Sequence, residues 1–302
     1  MKHPETRSIC TPLLDVEYLC WNASAEKTVI LVHGWPDAPR TWLQVASDLA
    51  DAGYRVLAPT LRGFGGTRFL SAETPRCGQL SALGQDLLDF MAALHVDKPV
   101  LVGHDWGARA TAIAVGLQPE CASHLVMISV GYGTNDPKQT ISYAQTKNYW
   151  YHWYMATQRG ADAVENDRNA FSRYMWDTWS PSGWYSEDDF KQTALAFDNP
   201  DWAEIVLHSY RHRWGHAKAC EDYAAQEAAL SPAPKILTST LVIHGESDGA
   251  NHPDTSKGKE AFFASTYERV VLPGVGHFPQ KEAPIEVSKH ILRFIGSSTS
   301  NV

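Results

Sequence analysis

The apolar run Val100-Leu101-Val102 leads directly into Gly103-His104-Asp105-Trp106-Gly107, and Ala108 to Leu117 follows with helical patterning. A buried strand, a tight glycine-flanked turn and a helix together make a nucleophile elbow. In that turn a strained backbone lifts one side chain out at the top of a parallel sheet. Serine is the usual occupant, and here the residue is Asp105. The plain structural alternative is an aspartate that caps the helix after it. Glycines two positions before and two after Asp105 favour the elbow.

Aspartate at the elbow restricts the chemistry. A carboxylate is a poor reagent toward acyl carbons, because the product would be a reactive anhydride. Toward a saturated carbon with a leaving group it is a workable nucleophile and forms a covalent alkyl ester. Strained epoxides and carbon–halogen bonds fit that description. Hydrolysing such an ester takes a base, an acid to orient it and an oxyanion hole, in the chain order nucleophile, acid, histidine. Asp248 follows the strand Leu241-Val242-Ile243, and His277 follows Val270-Val271-Leu272 within Gly274-Val275-Gly276-His277-Phe278-Pro279. Both stand at carboxyl ends of strands, where open α/β sheets build their sites. Glu246 is the rival acid. Upstream, His33-Gly34-Trp35-Pro36 ends the strand Val29 to Val32. The backbone N–H groups of Trp35 and Trp106 are the expected oxyanion donors, and a cis Trp35–Pro36 bond would aim the first of them. His33, Pro36, His104 and Phe278 flank these positions and are expected to line the pocket.

The short apolar runs, also including Val56-Leu57-Ala58 and Leu125-Val126-Met127-Ile128, alternate with the helical patterns Ser81 to Leu94 and Ile285 to Ile295. That rhythm predicts a mostly parallel sheet covered by helices. It stops between about Gly131 and Leu230, a block holding 7 of 11 Trp and 9 of 12 Tyr. We read an inserted helical cap over 132–230, with core segments 1–131 and 231–302. An aromatic-lined cavity between cap and core would suit a small apolar substrate.

The formal charge of −8 leaves no basic stripe for nucleic acid. Met1 to Cys10 lacks an apolar leader and no run approaches membrane-spanning length, so a cytoplasmic protein without a membrane partner is expected. Five cysteines, at 10, 20, 77, 121 and 220, are scattered and odd in number, and read as reduced thiols. No dinucleotide fingerprint or phosphate-binding loop appears, so no cofactor and no metal is expected. The partners implied are water and a small apolar molecule. Ser297 to Val302 reads as a frayed tail.

Taken together, HGWP at 33–36, RGFGGT at 62–67, GHDWGA at 103–108, the acid at 248 and GVGHFP at 274–279 resemble the α/β-hydrolase fold family, in its epoxide hydrolase and dehalogenase branch. Thr67 stands where many relatives carry serine, and Arg62 reads as structural. The resemblance implies that two cap tyrosines hydrogen-bond and then protonate an epoxide oxygen. Tyr151, in Tyr149-Trp150-Tyr151-His152-Trp153-Tyr154, and Tyr210, before Arg211, match their settings; Tyr149 and Tyr154 are neighbouring candidates. Two other readings stay open. His152 and Trp153 resemble the halide-holding pair of haloacetate dehalogenases, with Tyr210 as third member. Those enzymes grip the substrate carboxylate with arginines on the nucleophile turn, and although Arg109 is present, Trp106 occupies the position next to the nucleophile. In haloalkane dehalogenases a tryptophan at that position holds halide through its indole N–H. A non-catalytic receptor on the same fold is the third reading.

Overall fold

The computed structural model describes residues 3–134 and 139–297. The strands are β1 (Glu5–Cys10), β2 (Leu14–Trp21), β3 (Thr28–Val32), β4 (Arg55–Pro59), β5 (Arg68–Phe69), β6 (Val100–His104), β7 (His124–Ile128), β8 (Ser239–Gly245) and β9 (Tyr267–Leu272). They form one sheet in the order β1-β2-β4-β3-β6-β7-β8-β9, with the short β5 paired to β2. From β4 to β9 all neighbours run parallel; β1 and β2 join antiparallel at one edge.

Alternate residues of the inner strands feed two separate cores. Ile30, Val32 and Leu101 face one, while Val29, Leu31, Val100 and Val102 face the other. This explains the unbroken apolar runs: each strand is buried on both faces. The helices α1 (Leu43–Asp51), α2 (Leu80–Ala93) and α3 (Trp106–Leu117) belong to this sheet. Between β7 and β8 the described residues hold no strand. They form α4 (Tyr143–Asn148), α5 (Trp150–Met155), α6 (Gln158–Asn166), α7 (Arg168–Trp179), α8 (Glu187–Ala194), α9 (Trp202–Arg213) and α10 (Ala224–Ala229). The chain closes with α11 (Pro279–Glu282) and α12 (Pro284–Ser297). Of the expected frayed tail, Ser297 ends α12, and residues from 298 onward lie outside the described set.

All six expected strands and the three expected helices are present. β1, β2 and the two-residue β5 are additions to the sequence reading. β2 alternates buried and half-buried residues, as a strand with one face to the core does, and β1 is largely exposed, so neither contains a long apolar run.

The cysteine expectation needs correcting. Cys77 and Cys220 form a disulfide, with Cα atoms 6.3 Å apart and 143 residues between them in sequence. The segment ahead of α10 folds onto the start of α2, where the Cys220 N–H also donates to Gln79 Oε1 at 2.6 Å. No spacing motif could reveal a pair brought together only by this docking. Cys10, Cys20 and Cys121 are free thiols. Arg62 joins the same contact, pairing with Asp86 at 2.5 Å and donating to the Cys77 carbonyl at 2.8 Å and to Tyr223 Oη at 2.9 Å. Its role is structural, as the sequence suggested. Among the described residues no helix is long and apolar enough to cross a membrane.

Candidate active site

Asp105 sits where β6 gives way to α3, with φ 49° and ψ −112°. A non-glycine residue at positive φ stores backbone strain, here imposed by packing on both sides. A Cβ on Gly107 would run into the Val32 carbonyl, and one on Gly34 would meet the Asp105 side chain. Glycine at both positions lets the HGWP loop and the elbow approach each other. The Trp35–Pro36 bond is cis, and the Trp35 N–H donates to Asp105 Oδ1 at 3.1 Å.

His277 approaches the elbow from the loop after β9. Its Nδ1 lies 2.9 and 3.0 Å from the two oxygens of Asp248, and its Nε2 lies 3.8 Å from Asp105 Oδ2. Carboxylate oxygens only accept, so the hydrogen belongs on Nδ1 and the Nε2 lone pair is free. Burial works against the imidazolium, but the Asp248 carboxylate and its hydrogen bond prevail and raise the His277 pKa above the ordinary histidine value. Burial likewise works against the Asp248 anion, and His277 and His244 outweigh it, holding that carboxyl below the usual range. Asp248 Oδ1 also accepts the N–H groups of Ala250 and Asn251, each at 2.8 Å.

The cap completes the enclosure. Tyr210 on α9 accepts a hydrogen bond at Oη from the Trp106 indole N–H at 3.0 Å, and its ring lies 5.4 Å from that of Tyr151 on α5. Tyr151 stacks on Trp35 at 5.6 Å. Burial, with the Tyr210 and Asp105 side chains nearby, pushes the Tyr151 phenol well above its usual pKa; burial followed by Asp105 does the same to Tyr210. Both phenols are therefore neutral and hold their protons. The carbonyl of Trp179, the last residue of α7, accepts the N–H groups of Gly249 at 3.0 Å and His277 at 3.1 Å. One cap residue thus fastens both loops that carry the acid and the base. The Trp179 ring stands 4.9 Å from His277 and also lines an outer cavity of about 900 Å³, shared with Trp150, Phe171 and Tyr174.

Residues 27–284 match the alpha/beta hydrolase fold family. This chain belongs to the α/β-hydrolase fold family. An epoxide hydrolase from Caballeronia sordidicola is 30% identical over 292 residues, spanning 90% of this chain and 88% of that protein. Epoxide hydrolase A of Mycobacterium tuberculosis is 26% identical, with 88% and 89% covered. The crystal structure of a candidate epoxide hydrolase from Klebsiella pneumoniae superposes with a TM-score of 0.90 at 36% identity, covering 96% of each chain.

Within this α/β-hydrolase the remaining expected residues fall into two groups. Phe278 is fully buried beside His277 and Trp184, and the Pro36 carbonyl accepts from the Trp176 indole at 2.8 Å. His152 is buried, with its ring tilted 4.6 Å from that of Tyr210 and stacked on Tyr149 at 4.1 Å, its Nδ1 accepting the Trp214 indole N–H at 3.0 Å. These three stay close to the site. His33, His104 and Trp153 do not serve as pocket lining. His33 accepts the Leu61 N–H at Nε2 and donates from Nδ1 to the Gly34 carbonyl, and burial pushes its pKa down to about 4. His104 donates from Nε2 to the His277 carbonyl at 2.7 Å; burial and then His277 lower its pKa to about 3. Both are neutral braces within the backbone. Trp153 is half-buried, packs on Trp214 and donates to the Thr146 carbonyl at 3.2 Å. Positions two apart on a helix point roughly 200° apart, so turning Tyr151 inward turns Trp153 away.

Sequence reading missed three supports. His244 Nε2 lies 3.2 Å from Asp248 Oδ2 and 2.8 Å from the Asn251 carbonyl. Asn251 in turn accepts the Tyr149 hydroxyl at 2.9 Å and donates to the Ser129 carbonyl at 2.9 Å. Tyr149 therefore ties the cap to the acid loop, which separates it from Tyr151. Arg213 lies over Tyr210 and Trp106. The i,i+4 spacing of His244 and Asp248 was the one readable hint.

Proposed function

We infer that this chain is an epoxide hydrolase, opening a small or medium apolar epoxide to a vicinal diol through an alkyl ester on Asp105. The observation that carries the choice is the commitment of the indole donors. Trp106 Nε1 already donates to Tyr210 Oη, and Trp153 Nε1 to the Thr146 carbonyl. A haloalkane dehalogenase would need the first N–H for halide, and a haloacetate dehalogenase the second. Both commitments favour the tyrosine pair. A receptor would have no use for the nucleophile, acid, base and oxyanion loop together.

Asp105 Oδ1 is held by the Trp35 N–H, so Oδ2 attacks the ring carbon from behind. The carbon–oxygen bond breaks, and Tyr151 and Tyr210 hydrogen-bond the leaving oxygen while one phenol supplies its proton. Water then adds to the Asp105 ester carbonyl as His277 Nε2 takes its proton, with Asp248 stabilising the imidazolium. The Trp35 and Trp106 amides hold the oxyanion. Collapse frees the diol, and the histidine's proton returns to the phenolate through solvent. The reaction requires no metal or organic cofactor.

In the same reading residues 132–230 form the cap and 1–131 with 231–302 the core, a division that limited proteolysis would test. A cytoplasmic setting also belongs to it, with Cys77 and Cys220 bonded and Cys10, Cys20 and Cys121 free. The test of function is intact-mass spectrometry of His277→Gln after exposure to epoxides, haloacids and haloalkanes. An adduct of whole substrate mass on Asp105 supports the epoxide. An adduct lighter by hydrogen halide would move the assignment to a dehalogenase, and none at all would reject the nucleophile.

A further inference from the structure

Arg213 ends α9 three residues after Tyr210. Side chains on a helix lean toward its N-terminus, and Arg213 does so. Its guanidinium carbon lies 4.6 Å from the Tyr210 ring centroid and 5.6 Å from that of Trp106. One terminal nitrogen donates to Ser209 Oγ at 3.3 Å. Its Nε is buried without a hydrogen-bond partner, and among the described residues no carboxylate pairs with it. Arg211 behaves differently, donating from Nε to the Met155 carbonyl at 2.9 Å and so tying α9 to α5. A cation held next to a buried site with no carboxylate bonded to it is expensive, and the field of Asp105 and the carbonyl end of α9 offset only part of that.

We propose that Arg213 is a positioning residue for ring opening, acting through Tyr210, and that Tyr210 rather than Tyr151 gives up its proton. This rests on the epoxide reading above. As Asp105 Oδ2 bonds to the ring carbon, the carbon–oxygen bond breaks and its electron pair stays on the oxygen. A phenolic proton moves to that oxygen, leaving an alcohol and a phenolate. The negative charge of the nucleophile thus leaves Asp105, now a neutral ester, and arrives on a tyrosine. Burial resists a phenolate anywhere in this pocket.

The two tyrosines meet that resistance differently. The charged and titratable groups facing Tyr210 are Asp105, Tyr151, His152 and Arg213. Once Asp105 is esterified, its repulsion is gone and the guanidinium remains. A cation on the face of a ring is held more strongly as that ring becomes anionic. The Trp106 indole N–H adds a donor already in place at Oη. Tyr151 is packed among rings, with His152 at 4.3 Å, Trp179 at 5.0 Å, Tyr210 at 5.4 Å and Trp35 at 5.6 Å; Arg213 acts on it more weakly than its other neighbours, and no cation lies over its face among the described residues.

Single-turnover mixing with styrene oxide, a neutral aryl epoxide, followed by rapid quench and intact mass, separates ester formation from ester hydrolysis. Arg213→Gln is expected to slow formation about tenfold while hydrolysis of the accumulated ester keeps its rate constant. Arg213→Lys should recover most of the loss. A purely structural role would shrink the amplitude of ester formation and leave its rate constant alone. Tyr210→Phe should slow formation more than Tyr151→Phe. The proposal is overturned by wild-type formation rates in both Arg213→Gln and Arg213→Met, by equal losses in the Gln and Lys variants, by equal slowing of both steps, or by the reverse tyrosine ranking. A wild-type protein that forms no ester with any epoxide overturns the epoxide reading and this proposal with it. Ester formation indifferent to Arg213 overturns this proposal alone.

Discussion

His277 Nε2 stands 3.8 Å from Asp105 Oδ2 and has no hydrogen-bond partner among the described residues. That separation is too long for a hydrogen bond between them. It suits a base that acts on a water beside the carboxyl rather than on the carboxyl itself. In the mechanism proposed above that water attacks Asp105, so the oxygen added to the first product molecule comes from the protein. One turnover in ¹⁸O-water should give unlabelled diol and labelled Asp105, read by peptide mass. Labelled diol in the first turnover would mean direct attack of water on the substrate.

The pH dependence follows from the same histidine. His277 is a base only when neutral, and its pKa is raised above the ordinary 6.5 because Asp248 overcomes the effect of burial. Hydrolysis of the ester should fall as pH drops through a midpoint above 6.5, and ester should accumulate on the acid side. Asp248→Asn should move that midpoint down and slow hydrolysis by about 10²-fold or more. The pair also ties stability to pH. The raised histidine contributes fully below its unfolded value and loses that contribution as pH rises through its folded value. The lowered Asp248 contributes above the ordinary 3.8 and loses it as pH falls. Their joint contribution is therefore greatest between about 4 and 6.5, which thermal melts across pH would show.

Tyr149 and Tyr151 lie two residues apart and should respond in opposite ways. Tyr151→Phe removes a hydroxyl next to Tyr210 and should slow ester formation by about 10²-fold. Tyr149→Phe breaks the bond to Asn251; it should cost about 1 kcal/mol of stability and leave ester formation within a few-fold. Stopped-flow kinetics and denaturant melts on both variants give the comparison.

His244→Phe removes the imidazole that bridges Asp248 and the Asn251 carbonyl. The Asn251 carbonyl then lacks that donor in a buried loop, a loss of about 1–3 kcal/mol. We expect a lower denaturation midpoint and slower ester hydrolysis, with ester formation largely spared. Equal slowing of both steps would place His244 outside the acid's support.

Legibility in this chain followed burial and distance. β3, β4 and β6 to β8 announced themselves because both of their faces are covered; β9 is half-buried at the sheet edge and was readable from its apolar run Val270-Val271-Leu272, whereas β1 exposes most of its residues and has no apolar signature. Asp105, Asp248 and His277 were readable because each sits in a glycine-containing turn directly after an apolar strand. His33 and His104 share those turns, and only the hydrogen bonds at their ring nitrogens distinguish a brace from pocket lining. Asn251 depends on Tyr149, 102 residues away, and Cys77 on Cys220, 143 away. Contacts at such range leave no local pattern. Arg213 was hidden by its neighbour: Arg211 carries the match to the family, while the guanidinium over the Tyr210 ring is the next but one.

The enclosure described above bears on turnover itself. Asp105 is 4% exposed, Tyr151 2%, Tyr210 1% and His277 0%. A diol is far larger than a water molecule and cannot diffuse out past side chains so tightly closed. Release of product therefore requires side chains or cap helices to move aside, and the Cys77–Cys220 disulfide holds one corner of the seam covalently while they do. Solvent viscosity thus becomes a variable of this catalyst alongside pH and substrate.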